Sequence, residues 1–166
     1  MKISSIQTSE ELQFKVLVVG EYGVGTAVIR RYTEGQFSLN YKVTIGVDFA
    51  VKTFDWDSKT KLNIQLWDIA GHERFGTLTR PAVIVFDLSR PESLQSWVID
   101  IREKTVLMDG KKIPVILLAN KCDVEGITIN TGVISKFCAQ HDIDKWFLTS
   151  AKENININAA MEWIDM

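Results

Sequence analysis

The stretch FKVLVVGEYGVGTAV, residues 14–28, joins an unbroken apolar run to a glycine-rich turn and then to the start of a predicted helix, TAVIRRY (26–32). A run of Val and Leu without polar alternation is what a strand buried on both faces requires. Gly20, Gly23 and Gly25 fall where a chain leaving such a strand must curl before entering a helix, so that successive backbone N–H groups face an anion. The pattern matches GxxxxGK[S/T] except that no lysine follows Gly25. Taken alone, the turn admits two readings: a phosphate cradle, or an ordinary strand-to-helix turn that uses glycine for its positive φ.

Outward from this turn, the chain repeats the same grammar. PAVIVFDL (81–88) and PVILLA (114–119) are two further runs of buried-strand type. Leu94, Trp97, Val98 and Ile101 are spaced as one helical face, with Ser89 and Glu92 placed as a capping box before it. VDFAVKTFDWD and KLNIQLW flank the turn-prone DSKT and predict a hairpin across 47–67. WFLTS (146–150) reads as a last short strand and ININAAMEWI as a final helix, cut short. The predicted order is β-α-β-β-β-α-β-α-β-α, an α/β domain of P-loop NTPase type with a mostly parallel sheet and helices on both faces. In such sheets ligands bind beyond the carboxyl ends of the strands, which directs attention to GEYGVGT, WDIAGHERF, LANKCD and LTSAKEN.

With 166 residues and 46% hydrophobic composition, the chain predicts one domain over 1–166 with a flexible segment at 1–12. A formal net charge of -2 gives no basic excess to neutralise a nucleic-acid backbone or an anionic membrane. Two cysteines, Cys122 and Cys138, make no disulfide framework or metal knuckle, and reduced thiols in the cytoplasm are expected. No apolar run approaches the roughly 20 residues that span a bilayer, and no C-terminal cysteine is present to carry a prenyl anchor, so membrane association is expected only of a longer, prenylated form.

Corroboration for the glycine turn comes from LLANKCD. Asn120, Lys121 and Asp123 follow a buried strand at the spacing that lets a carboxylate meet the guanine N1 and N2 donors. A carboxylate there selects guanine over adenine. NKCD alone is also a common polar loop tip, but the glycine turn a hundred residues earlier and SAK at 150–152 make coincidence a poor explanation.

Through TIGVDFA (44–50), WDIAGHERF (67–75), NKCD (120–123) and TSAKEN (149–154), nearly the whole chain resembles the Ras-like small GTPases and, within them, the Rab family. WDIAG, IGVDFAVK and SAKENINI are most similar to the Rab subgroup acting at lysosome-related organelles such as melanosomes, at or near endosomal membranes. The resemblance implies GDP and GTP as ligands and Mg²⁺ as cofactor. It implies phosphate contacts from Gly20, Gly23, Val24, Gly25, Thr26 and Ala27, and metal ligation by Thr26, Thr44 and, through a water, Asp68. Gly71 would donate its N–H to the γ-phosphate, and Phe37 would pack against the guanine. At the base, Lys121 would lie along the ring and the Ala151 N–H would reach O6, with Ser150 and Lys152 beside it. Ile45, Phe49 and Trp67 would present the nucleotide state to effectors, although aromatics on sheet strands need no such role. An exchange factor and a GTPase-activating protein are implied as further partners.

Three departures from the family stand out. Either Thr26 replaces the lysine, or one residue is deleted before Thr26; the spacing from Thr26 to Phe37 and Thr44 favours the deletion. Two lost charge-assisted hydrogen bonds at about 1.5–3 kcal/mol each weaken nucleotide binding by roughly two to four decades. Arg30 and Arg31 lie too far along the helix, pointing away from its N-terminus, to replace the lysine. His72 stands where the family has the glutamine that orients the attacking water, which implies slow hydrolysis or a histidine without a role. After Arg80 about seven residues are missing from the second switch region, judged by motif spacing. The sequence thus supports either a Rab-like nucleotide switch, diverged or altered in its gene product, or a nucleotide-free pseudo-GTPase that acts as an interaction module.

Overall fold

Along the strand Glu10–Gly20 (β1), Val16 and Val18 face one way and Leu17 and Val19 the other, and all four are buried. This two-sided burial is why the run lacks polar alternation. The computed structural model describes residues 10–21, 23–40, 47–69, 81–105, 107 and 109–164, Ser93 without its side chain. Helix α1 (Val24–Glu34) follows β1, then the hairpin β2 (Val47–Asp55) and β3 (Thr60–Ile69), then β4 (Ala82–Asp87), α2 (Leu94–Lys104), β5 (Val115–Asn120), α3 (Thr131–Gln140), β6 (Lys145–Leu148) and α4 (Ile157–Ile164). The observed order is the one the sequence predicts.

The six strands form one sheet in the order β2-β3-β1-β4-β5-β6, with only β2 antiparallel to its neighbour. One face carries Val16, Val18, Val83, Val85, Ile116 and Leu118 against α1 and α4. The other carries Leu17, Val19, Ile84, Phe86, Leu117 and Ala119 against α2 and α3. Every residue of β4 and β5 is buried, as two helical layers demand. β1 connects toward β2 and β3 while β4 connects toward β5, so the strand order reverses between β1 and β4. A crevice opens at such a switch point beyond the carboxyl ends.

Local details depart from expectation. β1 begins at Glu10, so residues 10–12 belong to the strand and not to a flexible segment; Glu10 N–H donates to the Lys59 carbonyl and register with β3 runs from there. Helix α1 starts at Val24, two residues before Thr26, because Gly23 takes a left-handed conformation (φ 72°) and serves as its N-cap. The Ser89–Glu92 capping box does not form. Ser89 instead gives both its hydroxyl and its amide to Asp87 Oδ1, and a 3-10 turn at Pro91–Ser93 leads into α2. Pro81 precedes β4; its carbonyl accepts from Leu17 N–H, and its missing N–H is not needed.

Candidate nucleotide site

At the carboxyl end of β1, Gly20 pairs with Val85 of β4. A Cβ at Gly20 would lie 2.1 Å from the Val85 carbonyl oxygen, so only glycine permits this approach. The turn then delivers the chain to α1, whose hydrogen-bond ladder begins with Ala27 N–H donating to the Gly23 carbonyl. Gly25 and Thr26 lie before that ladder, in the first turn of the helix, where the dipole favours an anion. Val24 N–H is used by the Glu21 carbonyl. The turn thus uses one amide of the helix head, that of Val24, in its own closure.

Thr26 Oγ1 donates to Asp68 Oδ2 at 2.5 Å, bringing together, across 42 residues, two of the three residues assigned to the metal. A hydroxyl and a largely buried carboxylate form an oxygen-only donor pair of the kind Mg²⁺ accepts, which it completes with waters and phosphate oxygens. The residues present fit the ion. They line a cavity of about 110 Å³ together with Asp48, Glu34 and Arg30. Arg30, one turn beyond Thr26, is thus one of the residues lining this smaller cavity. Arg31 is committed elsewhere, to the carbonyls of Gly35, Ala151 and Lys152.

A larger cavity, about 370 Å³, is lined by Gly23, Val24 and Ala27 of the phosphate end, by Phe37, and by Asn120, Lys121, Asp123, Ala151 and Lys152. That volume lies within the range of ligand clefts. Phe37 lines this cavity and also packs against the core cluster beneath α1. Asp123 Oδ1 accepts from the Ser150 hydroxyl at 2.5 Å, and Ser150 Oγ in turn accepts from Glu153 N–H. Asn120 Oδ1 accepts from Thr149 Oγ1 and from Ala151 N–H at 3.1 Å. The amide that the resemblance reserves for guanine O6 is thus satisfied internally, as a buried N–H must be. Thr44, Ile45, Gly71 and His72 lie outside the described residues.

The sequence reading missed Asp87, at the carboxyl end of β4. Its carboxylate is 1% exposed, accepts from Lys121 Nζ at 2.5 Å and from Ser89, and lies 3.5 Å from Arg90 Nη2. Burial pushes its pKa up, but the hydrogen bonds from Lys121 and Ser89 and the Lys121 charge outweigh that and hold it below the ordinary carboxylate value. Lys121, held with a left-handed backbone (φ 66°), therefore presents its stem to the cavity and anchors its ammonium on Asp87. Arg90 continues the chain of charge to Glu21 Oε2 at 3.4 Å, inside the phosphate loop. A carboxylate at the end of the run VIVFD, on a strand beside the glycine turn, was the signal in the sequence.

Away from the cavity, Phe49 on β2 stands opposite Trp67 on β3, their centroids 6.0 Å apart and planes at 29°. Phe49 is 62% exposed and Val47 and Val51 on the same face are also exposed. Lys15 Nζ lies 5.6 Å from the Trp67 ring. Cys138 is buried, with its thiol pushed up to about 11 by burial, and Cys122 is raised by burial and the neighbouring Asp123 charge. Neither thiol is activated.

A family model described as the Ras family matches residues 15–165. The chain is 46% identical over 166 residues to Ras-related protein Rab-32B of Dictyostelium discoideum, covering 93% of this chain and 64% of that relative. It is 48% identical over 170 residues to Ras-related protein Rab-32 of Sus scrofa (95% and 75%), and 42% identical over 164 residues to Ras-related protein Rab-7L1 of Homo sapiens (92% and 81%). The chain thus spans just under two thirds of the first relative and three quarters or more of the other two. It belongs to the Ras family and, within it, to the Rab GTPases, in the subgroup that includes the Rab-32 and Rab-7L1 relatives. Rab GTPases are GTP-binding switches of vesicle traffic that work with effectors, exchange factors and GTPase-activating proteins. Among the described residues, no helix is long and apolar enough to cross a membrane.

Proposed function

We propose that the 166 residues act as one G domain that binds GDP and GTP with Mg²⁺, but two to four decades more weakly than a complete phosphate loop would. The observation that carries this reading is the 370 Å³ cavity, which draws its walls from the head of α1, from Phe37 and from both base loops. Asp123 selects guanine through its carboxylate, the Lys121 stem covers the ring, and the amides at the head of α1 hold the phosphates. Thr26 and Asp68, with Thr44, would hold Mg²⁺, which when bound neutralises charge developing on the phosphate oxygens. Hydrolysis, an in-line attack of water on the γ-phosphate, is slow. The N–H groups of Gly25 and Thr26, with Gly71, stabilise the developing charge, and His72 orients the water poorly because imidazole offers a different geometry from a carboxamide. Phe49 and Trp67, with Ile45, form the effector face. A longer form carrying a prenylated tail would bring this domain to endosomal and lysosome-related membranes.

A second reading, a nucleotide-free interaction module working through Phe49 and Trp67, draws support from the Ala151 amide, which is closed on Asn120 rather than open to a base. Denaturing the purified protein and chromatographing what it releases separates the two. Released guanine nucleotide, or saturable binding of fluorescent GDP at micromolar levels, is expected. Neither release nor binding leaves the interaction module.

A further inference from the structure

Arg31 sits in the last turn of α1, and its guanidinium offers several N–H donors in one plane. Three of them are spent on carbonyls from two separate segments. Nε donates to Ala151 O at 2.6 Å, Nη2 to Lys152 O at 2.8 Å, and Nη1 to Gly35 O at 2.6 Å. Gly35, left-handed at φ 68°, returns a bond from its N–H to the Arg31 carbonyl, so residue and cap grip each other at the exit from α1. Two residues later comes Phe37, one wall of the base cavity; Ala151 and Lys152 belong to another.

We propose that Arg31 is a positioning residue for base recognition, setting these two walls relative to each other and to the helix whose N-terminus faces the phosphates. The proposal deepens the guanine-site reading and rests on it. Ala151 is held at both of its polar groups, its carbonyl by Arg31 and its amide by Asn120 Oδ1, so the orientation of that backbone depends on both. The loop it opens turns back on itself through paired hydrogen bonds between Ser150 and Ile155, and so has one rigid attachment on its base side and Arg31 on its helix side. Lysine could not replace arginine here, since a single ammonium cannot span three carbonyls in a plane.

The test uses the full chain with Arg31→Gln and, as a variant that keeps charge and stem but loses the planar fork, Arg31→Lys. Both are expected to dissociate fluorescent GDP about tenfold faster, the scale of one charge-assisted hydrogen bond, with association changed much less. The preference for GDP over ADP should fall in the same proportion. A variant that only melts earlier, with dissociation and base preference unchanged, overturns the proposal and leaves Arg31 a staple between helix and loop. Amide exchange in nucleotide-free protein separates this from failure of the guanine site itself. Exchange across 151–154 should quicken about tenfold in Arg31→Gln even if wild type binds no nucleotide, and unchanged exchange there overturns the positioning role. Should the glutamine variant fail to fold, the lysine variant carries both measurements.

Discussion

The two ends of the nucleotide cavity are built to different standards. At the base end, Asn120, Asp123, Ser150 and Ala151 form a hydrogen-bonded set spanning two loops, with Lys121 anchored on buried Asp87. At the phosphate end, only three residues separate Gly20 from Val24, where the helix begins, and no lysine stands at its head. On the proposed reading, base recognition would reside in side chains, each fixed by named partners, and phosphate recognition in backbone amides whose number depends on loop length. Loss of the lysine, by deletion or substitution, would therefore leave the first intact and cost the second a charge. The nearest charges make this worse: Glu21 is in the loop, and Arg90 is occupied in neutralising it and Asp87.

The sharpest way to break this contrast is to restore the missing residue. Inserting lysine between Gly25 and Thr26 should strengthen fluorescent-GDP binding by roughly two to four decades, from two charge-assisted bonds at about 1.5–3 kcal/mol each. A gain of that size, read by titration, would show that the base end was waiting for its counterpart. An insertion that changes nothing would place the defect in the fold around the loop, not in its charge.

Asp123→Asn attacks the other end. Its carboxylate, already oriented by the Ser150 hydroxyl, loses the ability to accept from guanine N1 and N2, and the amide instead suits xanthine, whose C2 carbonyl accepts. GDP binding should weaken by about two decades while xanthosine diphosphate binding improves, the scale set by a buried charge-assisted pair. Competition between the two nucleotides measures it, and an unchanged ratio would remove Asp123 from the base site.

How much of this was readable before the fold was known follows the same division. The element order was legible because strands buried on two faces leave unbroken apolar runs, and Leu94, Trp97, Val98 and Ile101 repeat at helical spacing and are buried together. NKCD and SAK were legible as loops that follow buried strands, and residues of both line the cavity. The start of α1 was not, since it turns on the backbone of Gly23. Ser89 and Glu92 have capping-box spacing, yet spacing does not reveal that Asp87, two residues earlier, is the better acceptor for both groups of Ser89. Asp87 itself went unread because its partner Lys121 is 34 residues away, brought to it only by the pairing of β4 with β5.

Asp87 is also where the two ends meet, through Lys121 on one side and Arg90 and Glu21 on the other, and it gives the smallest of the expected effects. Its folded-state pKa lies below the ordinary value, so the ionised carboxylate stabilises the fold above its unfolded pKa of roughly 4, and that contribution is lost as pH falls through the folded value. Asp87→Asn should therefore lower stability by about 1–3 kcal/mol at neutral pH, the scale of losing a hydrogen bond to a charged partner. Lys121, partly exposed, can turn to water and limit the loss. The gap between wild type and variant should begin to narrow as pH falls below roughly 4, where the unfolded carboxylate takes up its proton, and close as pH passes through the lower folded value. Urea midpoints measured in parallel from pH 7 to pH 3 would show this, and a gap that stays constant would mean that packing around Asp87, not its charge, holds the two ends together.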